Sequence, residues 1–287
     1  MMTPHVAIEA GLSMKLSFLC IQCAEESGGG NLREVFMPMS DDGFYNVSCD
    51  AGHTMPTVLE QMRFEVLAET AIQAIMDGYY RDAVSSFAAS LERFYEFYVR
   101  VILRHRGLTD AQISLTWKSV AKQSERQLGV FVALFACETK EAPPLLHSKQ
   151  VEFRNDVVHK GAIPSEDKAL AFGQAVVDIV QGILGRLYPD YGQAASEEIR
   201  EHLRRARERV GKVPVVFNNQ DMVFQVTPPA SGNTIDLPDL VEQRRRERTS
   251  PSAIWRKLPI GHKLTWRTKH WQNLDPNSSS PDDQGRV

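Results

Sequence analysis

Between residues 79 and 106 apolar side chains recur at three- and four-residue steps: Val84, Phe87, Leu91, Phe94, Phe97 or Tyr98, and Val101. That spacing predicts one long amphipathic helix, which Gly107 stops. Before it, the pattern predicts a helix opening at Pro56 and running to about Asp77, with Leu59, Met62, Val66, Ile72, Ile75 and Met76 on its apolar side and Gly78 as the break. Beyond Gly107, Thr109 or Asp110 caps a helix carrying Ile113 and Trp117, and a further segment spans about Gln127 to Cys137. Pro143-Pro144 then separates a helix that ends at Gly161. Pro164-Ser165-Glu166-Asp167 is an N-terminal signature, a hydroxyl cap followed by two acids in the first turn. The helix it starts is expected to end near Leu187, with Leu170, Phe172, Val176, Ile179, Val180, Ile183 and Leu184 apolar. A separate, mostly charged helix follows from Ser196 to Arg209, with Ile199, Leu203 and Ala206 as a thin stripe. The expected fold is mainly α, a bundle of four to five core helices with a charged outrigger over residues 56–211.

The flanks differ. Residues 1–55 mix short β-like runs with glycines and form a small separate module. Residues 212–227 read as a hairpin, Val213 to Phe217 and Met222 to Thr227, around Asn218-Asn219-Gln220-Asp221. The remainder of 212–287 is expected to be a largely extended or disordered basic tail.

With 287 residues the chain is long enough for a sizeable core. Its net charge of −3 hides an asymmetry. From Arg244 to His270 nine Lys/Arg face one acid, so that window carries +8 and the rest of the chain −11. A basic tail on an acidic body suggests an anionic partner or docking on the body itself. No run of eighteen apolar residues occurs, so no membrane partner is expected. The four cysteines do not form a disulfide framework, which fits a reducing cytoplasm.

Three of those cysteines carry chemistry. Cys20-Ile21-Gln22-Cys23 is followed about 25 residues later by Cys49-Asp50-Ala51-Gly52-His53. A CxxC knuckle and a Cys-x3-His pair resemble zinc-ribbon spacing. Three thiolates and one imidazole would close a tetrahedral structural zinc site at Cys20, Cys23, Cys49 and His53. Such a small module could hardly build a core without the metal. The bland alternatives are ordinary buried cysteines, or a degenerate ribbon that no longer binds.

Arg154-Asn155-Asp156-Val157-Val158-His159-Lys160-Gly161 places a fixed cation, a carboxamide and an imidazole together ahead of a helix-stopping glycine. Arginine grips phosphate with a planar fork of donors, and histidine exchanges a proton near neutral pH. Together with the long helix "YYRDAVSSFAASLERFYEFYVRVIL" and the long helix after it, this Arg-Asn-x3-His pattern resembles the HEPN superfamily over roughly residues 58–188. The resemblance implies a helical bundle that acts as a homodimer, and in many members a metal-independent ribonuclease of defence or stress responses. It further implies that Arg154 holds the scissile phosphate and stabilises charge in the transition state, that His159 works as general base on the 2′-hydroxyl or as acid on the leaving oxygen, and that Asn155 orients the histidine or a phosphate oxygen. Other members are non-catalytic modules that bind RNA or a protein partner. On an ideal helix Asn155 and His159 share a face, whereas Arg154 and His159 are about 140° apart. The alternative without chemistry has Arg154 and Asn155 bridging helices and His159 bonded inside the bundle.

Trp255, Trp266 and Trp271 interleave with Arg256, Lys257, Lys263, Arg267, Lys269 and His270. Aromatic rings beside cations suit unpaired RNA; equally, the tryptophans could pack the tail onto the body.

Overall fold

The computed structural model describes residues 15–28, 33–211, 213–220, 222–225 and 234–249. The tryptophan-bearing segment from 251 onward lies outside them. The described chain is mainly helical, with five short strands. A first compact unit extends to Gln243 and a second begins at Arg244.

The centre of the bundle is the long helix expected from the sequence, here Tyr80–His105, with Gly107 at φ +85° just past its end. Counting in chain order, it is α3, after α1 (Ile21–Glu26) and α2 (Arg63–Met76). It is followed by α4 (Asp110–Val120), α5 (Ser124–Thr139), α6 (Ser148–His159) and α7 (Glu166–Val210). Because α3 repeats apolar residues around much of its circumference, it can be covered on several sides, and α2, α4, α5, α6 and α7 all pack against it. Phe64 of α2 meets Phe94 and Phe97 of α3 at ring separations of 5.3 and 5.4 Å, and Phe131 of α5 stacks on Tyr95 at 4.2 Å. Offset and edge contacts of this kind add to the burial that drives the assembly.

Four sequence expectations are corrected. The helix expected from Pro56 begins only at Arg63, because Thr54–Leu59 is a strand, β4. The Glu65 carboxylate accepts the Met62 N–H at 2.6 Å and so fixes the true helix start. Second, the helices expected to 187 and from 196 are one, α7, kinked at Tyr191 (φ −128°, ψ 17°) just after Pro189. Proline removes one ladder donor and bends the helix without ending it. Third, among the described residues of 212–227 no hairpin is found. Of these residues Val216–Asn218 is the strand, β5, and it pairs parallel with β4 from Thr57 onward. Met222, Val223 and Phe224 are instead buried in hydrophobic clusters, which a two-faced hairpin strand could not achieve. Fourth, Leu237–Thr249 is a helix, α8, inside the tail expected to be extended. Leu237 and Val241, one turn apart, are buried against the bundle. Gly173 makes the room, since a Cβ there would stand 2.5 Å from the Phe87 ring and 2.6 Å from the Leu237 side chain.

In the N-terminal module β1 (Lys15–Leu19) pairs antiparallel with β2 (Glu34–Pro38), and β3 (Phe44–Ser48) with β4. Pro56 is tolerated in β4 because β5 pairing starts one residue later, leaving the proline at an unpaired edge on that side. Leu16, Phe18, Tyr45, Val47, Met55, Leu59 and Met222 form a small core that includes Cys20, Cys23 and Cys49. The module is stitched to the later chain: the Gln61 amide donates to Asn219 Oδ1 and to the Gln220 carbonyl, each at 2.7 Å, and Gln220 donates to the Ser17 carbonyl at 2.8 Å.

By length and composition α7 contains a stretch apolar enough to cross a membrane, and half of that stretch is buried inside the protein. Its apolar residues, Phe172, Val176, Val180, Ile183 and Leu187, are core residues of the bundle.

Candidate functional site

Three candidate ligands of the metal centre, Cys20, Cys49 and His53, sit at the ends of strands, and the fourth, Cys23, lies in the short helix after β1. Cys20 follows β1 and occupies the N-cap of α1, and its N–H bonds the Arg33 carbonyl at 2.8 Å. Cys23 lies one turn into α1. Cys49 and His53 flank the turn between β3 and β4, closed by Cys49 N–H to the His53 carbonyl at 3.0 Å. Gly52 takes φ +88° there, which a side chain would resist. The two knuckles therefore face each other.

The ligand atoms of Cys20, Cys23, Cys49 and His53 all lie within 4.8 Å of one another. Cys23 Sγ is 3.7 Å from Cys49 Sγ, and His53 Nδ1 is 3.6 Å from Cys20 Sγ and 3.2 Å from Cys23 Sγ. A tetrahedral ion with sulfur bonds of about 2.3 Å and nitrogen bonds of about 2.0 Å sets S···S near about 3.8 Å and S···N near about 3.6 Å. The donor set and its spacing fit a metal ion, and all four residues named from the sequence come together.

The thiols also show why a cation is suited to this place. Burial, reinforced by the neighbouring Cys20 and Cys49 sulfurs, pushes the Cys23 thiol up to about 12. Burial acts the same way on Cys49, but backbone N–H groups of His53 and Ala51 outweigh it and bring that thiol down to about 7. Thiols this close resist ionising together, and a divalent cation removes that repulsion.

The second candidate site is on α6. Its core side is Phe153 and Val157, one turn apart: Val157 is fully buried and the Phe153 ring lies 5.9 Å from Phe172. By the helical period, Asn155 and His159 point roughly opposite to that side and Arg154 lies on the flank. Arg154 and Asn155 are half-buried and His159 is exposed. Among the described residues none of the three side chains makes a hydrogen bond or ion pair. The reading that places His159 inside the bundle is thereby corrected.

The helix stays regular through His159, so nothing bends Arg154 towards it. Gly161 turns the chain at φ +75°, and the Ala162 N–H returns to the Asp156 carbonyl at 3.1 Å. Leu145 and Ile163, 40% and 84% exposed, bracket the helix with apolar surface.

Two clefts lie elsewhere. One of about 430 Å3 runs between β2 and β3 beside Cys49 and includes Arg33, Phe36 and Asp50. The other, about 290 Å3, opens at the α7 kink between Tyr98, Phe135, Glu138 and Tyr191.

Sequence reasoning missed a buried ionic cluster. Glu198 accepts Arg100 Nε at 2.5 Å and Arg104 Nη2 at 2.6 Å, and Arg104 also reaches Asp110 at 2.6 Å. The sequence gives it little signal, because Arg100 and Arg104 lie on an amphipathic helix and Glu198 in a mostly charged stretch. No family model, no curated protein and no solved structure matches this chain.

Proposed function

We propose that this chain is a metal-independent endoribonuclease of HEPN type, acting as a homodimer in the cytoplasm in defence or stress, with zinc as a structural ion in its N-terminal module. The observation that carries the reading is the set of partnerless polar side chains on α6: a half-buried arginine and asparagine and an exposed histidine near the helix end. A half-buried arginine with no protein partner keeps its planar fork of donors available to a phosphate.

In this reading Arg154 takes a phosphate of the RNA and stabilises the charge that builds on it. His159 accepts the 2′-hydroxyl proton as the 2′-oxygen bonds to phosphorus and the 5′-oxygen leaves. The departing 5′-oxygen takes its proton from solvent water, which leaves His159 holding the 2′-hydroxyl proton. On a regular helix Arg154 and His159 diverge by about 140°, so each active centre takes its arginine from one copy and a histidine from the other. Leu145 and Ile163 supply apolar surface beside the motif for that contact.

Zinc is the ion that best suits three thiolates and an imidazole, and four protein ligands leave no open position for chemistry. Its role here is to hold two knuckles that would otherwise present three crowded thiols.

The test is cleavage of structured RNA in EDTA by wild type and by His159→Ala, with zinc content checked after the assay. EDTA-resistant cleavage lost in the variant supports the reading. The regularity of α6, which holds Arg154 and His159 apart within one copy, favours a second reading, a non-catalytic module that binds RNA or a protein partner. A dimer that binds RNA and cleaves none of it would establish that second reading.

A further inference from the structure

His53 presents only one of its ring nitrogens to the sulfurs. Nδ1 faces Cys20 and Cys23 at 3.6 and 3.2 Å, while Nε2 stands 3.2 Å from the Glu26 carboxylate. Glu26 closes α1, three residues after Cys23, which itself follows Cys20 by three. One short helix thus carries two sulfur ligands and a carboxylate in a single slanting row. The same Glu26 Oε1 also accepts the Gln22 amide at 3.2 Å, so a side chain from within the CxxC knuckle holds the carboxylate in place.

A neutral imidazole binds a metal through the nitrogen that lacks a proton, and the partner of the other nitrogen decides which one that is. A carboxylate can only accept from Nε2–H, so contact with Glu26 selects the tautomer whose bare nitrogen is Nδ1. The His53 ring is mostly buried, its side chain 15% exposed, and Glu26 lies at the open edge of the site at 58%. Glu26 is therefore placed to orient the ligand without entering the metal's own shell.

We propose that Glu26 is a positioning residue for the metal centre: held by Gln22, it fixes His53 in the Nε2–H tautomer and aims Nδ1 at the ion. The proposal rests on the metal reading of Cys20, Cys23, Cys49 and His53 and assigns a fifth and a sixth residue to it.

The experiment compares full-length wild type, Glu26→Ala, Glu26→Gln and Gln22→Ala. Zinc affinity is read by chelator competition, and the His53 ring nitrogens are read by 15N NMR on the zinc-loaded proteins. Outer carboxylates of this kind change metal affinity by about 10- to 100-fold. Glu26→Ala should weaken zinc by about tenfold or more, Glu26→Gln should recover part of that loss, and Gln22→Ala should cost less than Glu26→Ala. The wild-type spectrum should show a protonated Nε2 and a metal-shifted Nδ1. Wild-type affinity in Glu26→Ala, or a ring metallated through Nε2, overturns the proposal while leaving the metal site standing. Wild type that takes up no zinc overturns the metal reading itself. Melting of the metal-free proteins separates the two effects, since a merely structural Glu26 would lower that melting point as well.

Discussion

Arg100 of α3 and Glu198 of α7 meet with both side chains almost fully buried, Nε to Oε1 at 2.5 Å. The second carboxylate oxygen takes Arg104, so one acid on the limb of α7 beyond the kink neutralises two cations of the central helix. Breaking a buried pair by removing one member leaves an uncompensated charge, which costs about 3–5 kcal/mol. Glu198→Ala should therefore lower unfolding stability by about that amount in denaturant titration, and a loss under 1 kcal/mol would contradict the assignment. Among the described residues Arg100 Nη2 and Arg104 Nε have no hydrogen-bond partner, which adds to the cost of disturbing the site.

His202, one turn beyond Glu198, gives the same region a pH dependence. Burial lowers its pKa from the ordinary 6.5, with Arg205 and Arg209 on α7 and Arg63 on α2 pushing the same way and Glu198 opposing them. The folded state thus binds the proton less readily than the unfolded chain. Above the unfolded value both states are neutral, and stability is lost as pH falls below it. Between pH 7 and 5 wild type should lose more stability than His202→Gln, as measured by thermal melts across that range.

Gly173 on α7 lies against Phe87 of α3 and Leu237 of α8. A methyl group there meets Phe87 and Leu237 at 2.5 and 2.6 Å, so one neighbour must move. Gly173→Ala should cost about 1–3 kcal/mol by overpacking. Hydrogen exchange should show α8 losing protection first, because its first turn is otherwise held by two bonds from Gln174, to the Ile235 carbonyl and from the Leu237 N–H.

Removing the proposed zinc from the zinc-loaded protein should open it locally. The small N-terminal core is closed by the cysteines, whereas the bundle has its own large core. On chelation, exchange protection should fall across residues 15–59 and in β5, which pairs with β4, and stay unchanged in α3. Equal loss in α3 would show that the metal centre stabilises the whole fold.

Much of this architecture was legible in the chain because its signals were local. The periodic residues of α3, the Thr109 cap, the Ser165 start and the Cys-x2-Cys and Cys-x3-His knuckles each depend on near neighbours. What escaped depended on distant ones. Pro56 looks like a helix opener until β5, from some 160 residues later, makes Thr54–Leu59 a central strand. Pro189 looks like a terminator, but both limbs of α7 are held in place by α3, by Val176 and Val180 packing before the kink and by Glu198 after it. Glu26 has no meaning beside Cys23 until His53 arrives from the other knuckle. For the α6 motif, the sequence named the residues and the helix, and because α6 runs as an α-helix through His159 the ideal-helix angle of about 140° between Arg154 and His159 applies.

That angle leads to the most direct measurement of the central claim. Arg154→Ala and His159→Ala proteins, each inactive alone, are mixed under conditions that exchange subunits. If each centre draws its arginine from one copy and its histidine from the other, a mixed dimer keeps one intact centre. Random exchange in an isologous dimer should then restore about a quarter of wild-type RNA cleavage. No cleavage in the mixture, with mixed dimers shown to form and wild type active, would contradict the shared site; wild type inactive on every RNA would contradict the enzyme.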